Sequence, residues 1–157
     1  MLSEESLKKI DKELGKYPAD QRRSAVMSAL AIAQQECGWL QIDIIEYVAK
    51  YLGIPAVQAL EVATFYGMYN TKPVGKYKLV VCTNLPCALS GAMDAVEYLK
   101  KKLGIDFGET TADGRFTLQM GECMGACGDA PVMLVNNHKM CSFMTPAAID
   151  KKLAELT

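Results

Sequence analysis

The hydrophobic pattern of this chain changes character across Pro73 and Gly75. Before that point apolar residues recur at three- and four-residue spacing, the signature of helices with one face turned inward. Leu7, Ile10 and Leu14 share a face of a short helix that Gly15 and Pro18 end. Ala25, Val26, Ala29, Leu30 and Ala33 repeat at helical spacing within a segment from about Asp20 to Glu36, which Gly38 stops. A third helix spans roughly Ile42 to Leu52 and Gly53 closes it. Pro55 stands where a first-turn proline opens a fourth, with Ala56, Ala59, Leu60 and Ala63 as its apolar face.

After Gly75 strands enter the pattern. Tyr77 to Cys82 is a short β-prone run broken at once by Thr83, Asn84 and Pro86. Ser90 is placed to cap a helix with Ala92, Ala95, Val96, Leu99 and Leu103 on one face and Gly104 at its end. A polar loop leads to a second strand in which Phe116, Leu118 and Met120 alternate with polar neighbours. Met133 to Val135, Asn136-Asn137 and Met140 to Phe143 read as a hairpin, and Thr145-Pro146 opens a last helix. The order β, α, β, β, β, α predicts an α+β chain. A helical bundle occupies residues 1–74 and a small α/β sheet domain residues 75–157.

Four of the six cysteines fall in two pairs, Cys82 with Cys87 and Cys123 with Cys127, each just after a predicted strand. If those strands run parallel, both loops leave the same edge of the sheet and four thiols converge. A 2Fe-2S cluster needs four thiolates, two per iron, on irregular backbone whose N–H groups can point at the sulfurs. Gly121, Gly125 and Gly128 allow close backbone approach and unusual dihedrals, while Pro86 and Pro131 stiffen the chain nearby. No Lys or Arg lies inside either loop, which favours a low reduction potential.

Other uses of four thiols are weighed against this. Structural zinc sites favour two residues between paired cysteines, whereas these gaps are four and three. A zinc-stabilised interaction module is the alternative from a different class, and a freely diffusing ferredoxin is a third reading. A dithiol enzyme prefers Cys-x-x-Cys at a helix start, which is absent. A four-iron cluster uses the same ligand type, so spacing alone leaves it open. His138 is the single histidine, so a Rieske centre, which needs two, cannot be built from this chain. Cys37 and Cys141 read as core or surface thiols, and Tyr66, Met68 and Tyr69 as core or partner surface.

Composition narrows the setting. Hydrophobic residues make up 50% and charged residues 22%, and the apolar runs are too short for a bilayer span. Seventeen basic against eighteen acidic residues, interspersed, argue against nucleic acid as a partner and against direct membrane insertion. The acidic start lacks an export signal, which predicts a reducing compartment. No G-x-G-x-x-G follows a strand and no P-loop motif occurs, so a nucleotide or flavin is expected on another chain.

Together these motifs resemble a known family, the small thioredoxin-like 2Fe-2S subunits of NADH:quinone oxidoreductase (NADH dehydrogenase, respiratory complex I). The resemblance rests on Gly38-Trp39-Leu40, Tyr51 to Pro55, Glu61 to Tyr66, Cys82 to Cys87 with Ser90-Gly91-Ala92, Gly121 to Cys127 with Ala130-Pro131, and Thr145-Pro146. It implies a thioredoxin-like second domain and one 2Fe-2S cluster held by Cys82, Cys87, Cys123 and Cys127. It implies a non-catalytic electron-transfer role, with single electrons exchanged with the FMN of the flavin- and NADH-binding subunit of the same complex. Other peripheral-arm subunits are further partners, and the place is the cytoplasm, in the peripheral arm on the cytoplasmic face of the inner membrane. Related subunits serve NAD-linked hydrogenases and formate dehydrogenases.

Overall fold

The computed structural model describes residues 1–156 and divides into two compact units, Met1–Pro73 and Val74–Thr157. The first unit is helical: α1 (Glu4–Leu14), a 3-10 segment (Ala19–Ala25), α2 (Val26–Cys37), α3 (Ile42–Leu52) and α4 (Ala56–Phe65). Its core gathers Ile10, Leu30, Ile45, Val48 and Leu52 around Ala29 and Ala33 of α2 and Ala59 and Ala63 of α4. Alanines four apart leave a shallow groove, which lets neighbouring helices approach closely. Gly53 takes a left-handed conformation at the end of α3 and returns its N–H to the last carbonyls of that helix.

Two details differ from the sequence expectation. The second helix does not begin at Asp20, because residues 19–25 are 3-10 with a kink at Gln21 (φ −109°, ψ 28°). The polar run Asp20 to Arg23 has no apolar face to bury, and its conformation lets Arg22 reach the end of α3. There Nε donates to the Leu52 carbonyl at 2.8 Å and a terminal nitrogen to that of Tyr51 at 3.1 Å. Pro55 lies just outside α4 rather than in its first turn, and Ala56 is exposed, so the buried face of α4 starts at Ala59.

The second unit contains β1 (Tyr77–Cys82), α5 (Leu85–Leu89), α6 (Ala92–Leu103), β2 (Phe116–Gly121), a 3-10 turn (Cys127–Asp129), β3 (Met133–Val135), β4 (Lys139–Cys141) and α7 (Pro146–Glu155). The sheet order is β2-β1-β3-β4, with β1 parallel to β2 and the other pairs antiparallel. Leu79 and Val81 of β1 and Phe116 and Leu118 of β2 meet Ala95, Val96 and Leu99 of α6 and Ile149 and Leu153 of α7. Both helices therefore serve one face of the sheet. The polar loop before β2 folds back along that strand: the Gly108 N–H donates to the Leu118 carbonyl at 2.8 Å and the Leu118 N–H to that of Glu109 at 3.1 Å. These bonds occupy backbone groups that an edge strand would otherwise expose.

The architecture is α+β, as the alternation of periods predicts. Among the described residues no helix is long and apolar enough to cross a membrane.

Candidate functional site

The site is built at one edge of the second unit's sheet. Parallel pairing puts Cys82, the last residue of β1, opposite Gly121, the last residue of β2, so both cysteine-bearing loops leave the sheet side by side. Two bonds stitch the exit: the Cys82 N–H donates to the Val132 carbonyl at 3.1 Å and the Thr83 N–H to that of Gly121 at 3.2 Å. Gly121 has no room for a side chain, since a Cβ there would lie 2.7 Å from Val80 Cγ1 and 2.9 Å from Met124 Cε. That close approach brings Met124, from between the second pair of cysteines, against the end of β1.

The first loop is more ordered than the sequence suggests. Asn84 caps α5, its Oδ1 accepting the Leu85 N–H at 3.1 Å, and Pro86 sits in the first turn, so Cys87 rides on a short helix. Ser90 closes α5, its hydroxyl donating to the Pro86 carbonyl at 2.8 Å; it does not cap α6, which Gly91 precedes at φ 91°. An Asn followed two residues later by Pro is a helix-start signal, but here it doubles as a strand stop.

Cys82 and Cys87 are each about 1% exposed and pack with Ala92 and Val132, backed by Met124, Ala126 and Ala130 from the second loop. Burial pushes the Cys87 thiol up. A hydrogen bond with Cys82 pushes the same way, and the charge on Cys127 adds a smaller contribution. Cys87 thus senses thiols from both cysteine loops. Cys123 and Cys127 are exposed. Cys123 takes an N–H on its sulfur from Gly125 at 3.4 Å, and Gly125 reaches that position at φ 71°, where a glycine is favoured. Gly128 shows neither a positive φ nor a close approach.

The second loop is also held from outside. Ser142 Oγ donates to Asp129 Oδ2 at 3.0 Å, the Phe143 N–H to the Asp129 carbonyl at 2.8 Å, and the Met144 N–H to the Pro131 carbonyl at 2.9 Å. Nothing in the sequence marks these three residues, because two of the bonds come from the backbone. Cys37 ends α2 and Cys141 lies in β4, both outside the cysteine edge, and burial raises both thiols.

Among the described residues no three His, Cys, Asp or Glu side chains are grouped to hold one metal ion. A tetrahedral zinc site needs four donors about one point. A two-iron cluster asks instead for two pairs of thiolates, one pair per iron. One buried pair in apolar surroundings and one exposed pair with an N–H on a sulfur, at a single sheet edge, suit that demand.

Fold and site together define a class: a small α/β unit whose neighbouring parallel strands end in paired cysteines. The chain belongs to the thioredoxin-like 2Fe-2S ferredoxin family, whose model matches residues 10–157. Among curated relatives, the E-type NADH-quinone oxidoreductase subunit of Rickettsia typhi is 51% identical over 123 residues, covering 78% of this chain and 72% of that protein. "NADH-quinone oxidoreductase subunit 2" of Thermus thermophilus is 41% identical over 147 residues, covering 94% of this chain and 81% of that one. Among solved structures, an NAD+-reducing NiFe-hydrogenase in the air-oxidised state superposes with a TM-score of 0.68 at 22% identity. That likeness covers 81% of this chain and 22% of the hydrogenase chain, and it concerns the fold alone.

Proposed function

We propose that this chain is the 2Fe-2S electron-transfer subunit of an NADH:quinone oxidoreductase, exchanging single electrons with the flavin of a partner chain. The observation that carries the reading is the parallel register that sets Cys82 opposite Gly121 and so brings two cysteine pairs to one edge. The names of the relatives, at 41% and 51% identity, support the setting. FMN and NADH belong to that flavin- and NADH-binding partner, and the assembly sits on the cytoplasmic face of the inner membrane, in the peripheral arm.

Cys82, Cys87, Cys123 and Cys127 hold the cluster in this reading. When bound, the cluster supplies a reversible one-electron couple. Cys82, Cys87, Ala92 and Val132 keep water from its inner side. The Gly125 N–H stabilises negative charge on the Cys123 sulfur. Cys123 and Cys127, on the exposed side, leave a flank where an electron partner can approach.

The test is cluster content in Cys87→Ser and Cys123→Ser after anaerobic purification. The reading expects the reduced-state EPR signal to be lost or its shape changed in each. Unchanged iron, sulfide and EPR in both variants would overturn it.

A further inference from the structure

The segment between β4 and α7 carries a feature that the cysteine motif does not explain. Phe143 holds φ 51°, a left-handed conformation unfavourable for a bulky residue. The residue is 58% exposed, so ring burial does not drive it there. The backbone does: the Phe143 N–H donates to the Asp129 carbonyl at 2.8 Å and its own carbonyl accepts the Thr145 N–H at 2.7 Å. Thr145 in turn caps α7, its hydroxyl accepting the Ala148 N–H at 3.3 Å. The segment is thus anchored by a strand at one end and a helix start at the other, and it reaches across to the cysteine loop.

What it grips is the turn that begins with Cys127. That turn closes on itself through Asp129 N–H to the Ala126 carbonyl at 3.0 Å, so fixing Asp129 fixes the backbone of Cys127. Ser142 adds the side-chain contact, its hydroxyl on the Asp129 carboxylate at 3.0 Å. The bond is solvent-exposed, so its strength is that of an ordinary hydrogen bond, and it ties the Asp129 side chain to the segment after β4. We propose that Ser142 is a positioning residue for Cys127, its hydroxyl completing, beside the Phe143 N–H, a clamp that holds the second cysteine pair in the geometry the cluster requires. This rests on the reading that the four cysteines hold that cluster.

The experiment uses the full chain, purified anaerobically with its cluster, as wild type, Ser142→Ala, Ser142→Thr, Asp129→Ala and the Ser142→Ala/Asp129→Ala double variant. Iron release to a chelator and the EPR g-values of the reduced form are measured, with thermal unfolding of each cluster-free chain alongside. Losing that bond is expected to speed release about three- to tenfold in Ser142→Ala and in Asp129→Ala. Their g-values shift, while Ser142→Thr, which keeps the hydroxyl, returns both readouts to wild type. The Ser142→Ala/Asp129→Ala double variant releases iron no faster than the worse single one, as expected when both remove one interaction. A shift in g-values with unchanged cluster-free unfolding separates positioning from general stability. Wild-type release and g-values in Ser142→Ala overturn the clamp alone, and a wild-type chain that takes up no cluster overturns the parent reading with it.

Discussion

The two cysteine pairs of the proposed site meet different surroundings, and that difference is measurable. In the cluster-free chain iodoacetamide should modify Cys123 and Cys127 first, because they are exposed, and leave Cys82, Cys87 and Cys141, which are buried, largely unmodified. With the cluster in place Cys123 and Cys127 should become protected as well. Mass spectrometry of both forms checks this, and continued labelling of either one in the loaded protein would remove it from the ligand set. A second residue-scale expectation concerns the hairpin turn, where Asn136 and Asn137 take φ 49° and 61°. Glycine suits both dihedrals, but Asn136 also uses its side chain to tie the turn to β1: its Oδ1 accepts the Lys78 N–H at 2.7 Å and its Nδ2 donates to the Lys76 carbonyl at 3.1 Å. Asn136→Gly should therefore lose about 1–2 kcal/mol in urea unfolding, and wild-type stability would show those two bonds to be passive. The cysteine pairs were legible because spacing and Gly-rich flanks are written locally. The Ser142–Asp129 contact spans thirteen residues and involves no special residue type, so no local pattern announces it.

At the scale of elements, the helices and strands with strong periodicity lie where the sequence places them: α3 over Ile42–Leu52, β1 over Tyr77–Cys82 and α6 over Ala92–Leu103. The departures sit where periodicity is silent. Residues 20–23 carry no apolar signal, so a continuous helix is the default expectation, whereas tertiary bonding from Arg22 selects a 3-10 segment. In α5 five residues are too few for a period to show. Arg22 is the residue to test at this scale. Its guanidinium satisfies two carbonyls at the negative end of α3, where a cation is favoured. Arg22→Ala should destabilise the chain by about 1–2 kcal/mol in chemical denaturation. Lysine at the same position should recover only part of that, since it lacks the forked donors. Full stability in Arg22→Ala would show the contact to be passive.

For the whole molecule, two units each own a core: one built from α1 to α4, the other from the sheet with α6 and α7. Units with separate cores are expected to fold independently. Residues 74–157 expressed alone should unfold cooperatively and accept the cluster, because all four cysteines and the clamp lie within that span. Failure to fold alone would make the helical unit part of the site's support. The α+β class was legible from the strand periodicity that first enters after Gly75, and the exit of both cysteine loops at one sheet edge was legible on the premise of parallel strands, the direction β1 and β2 share. The backing of the site by Met124 and Ala126 was not legible, since it depends on how the second loop packs against Cys82 and Cys87. The central claim is tested most directly by counting iron and acid-labile sulfide on the anaerobically purified chain and recording low-temperature EPR before and after dithionite. About two irons and two sulfides per chain, with a one-electron signal appearing on reduction, is the predicted result. A colourless, EPR-silent protein carrying zinc and no sulfide would contradict it.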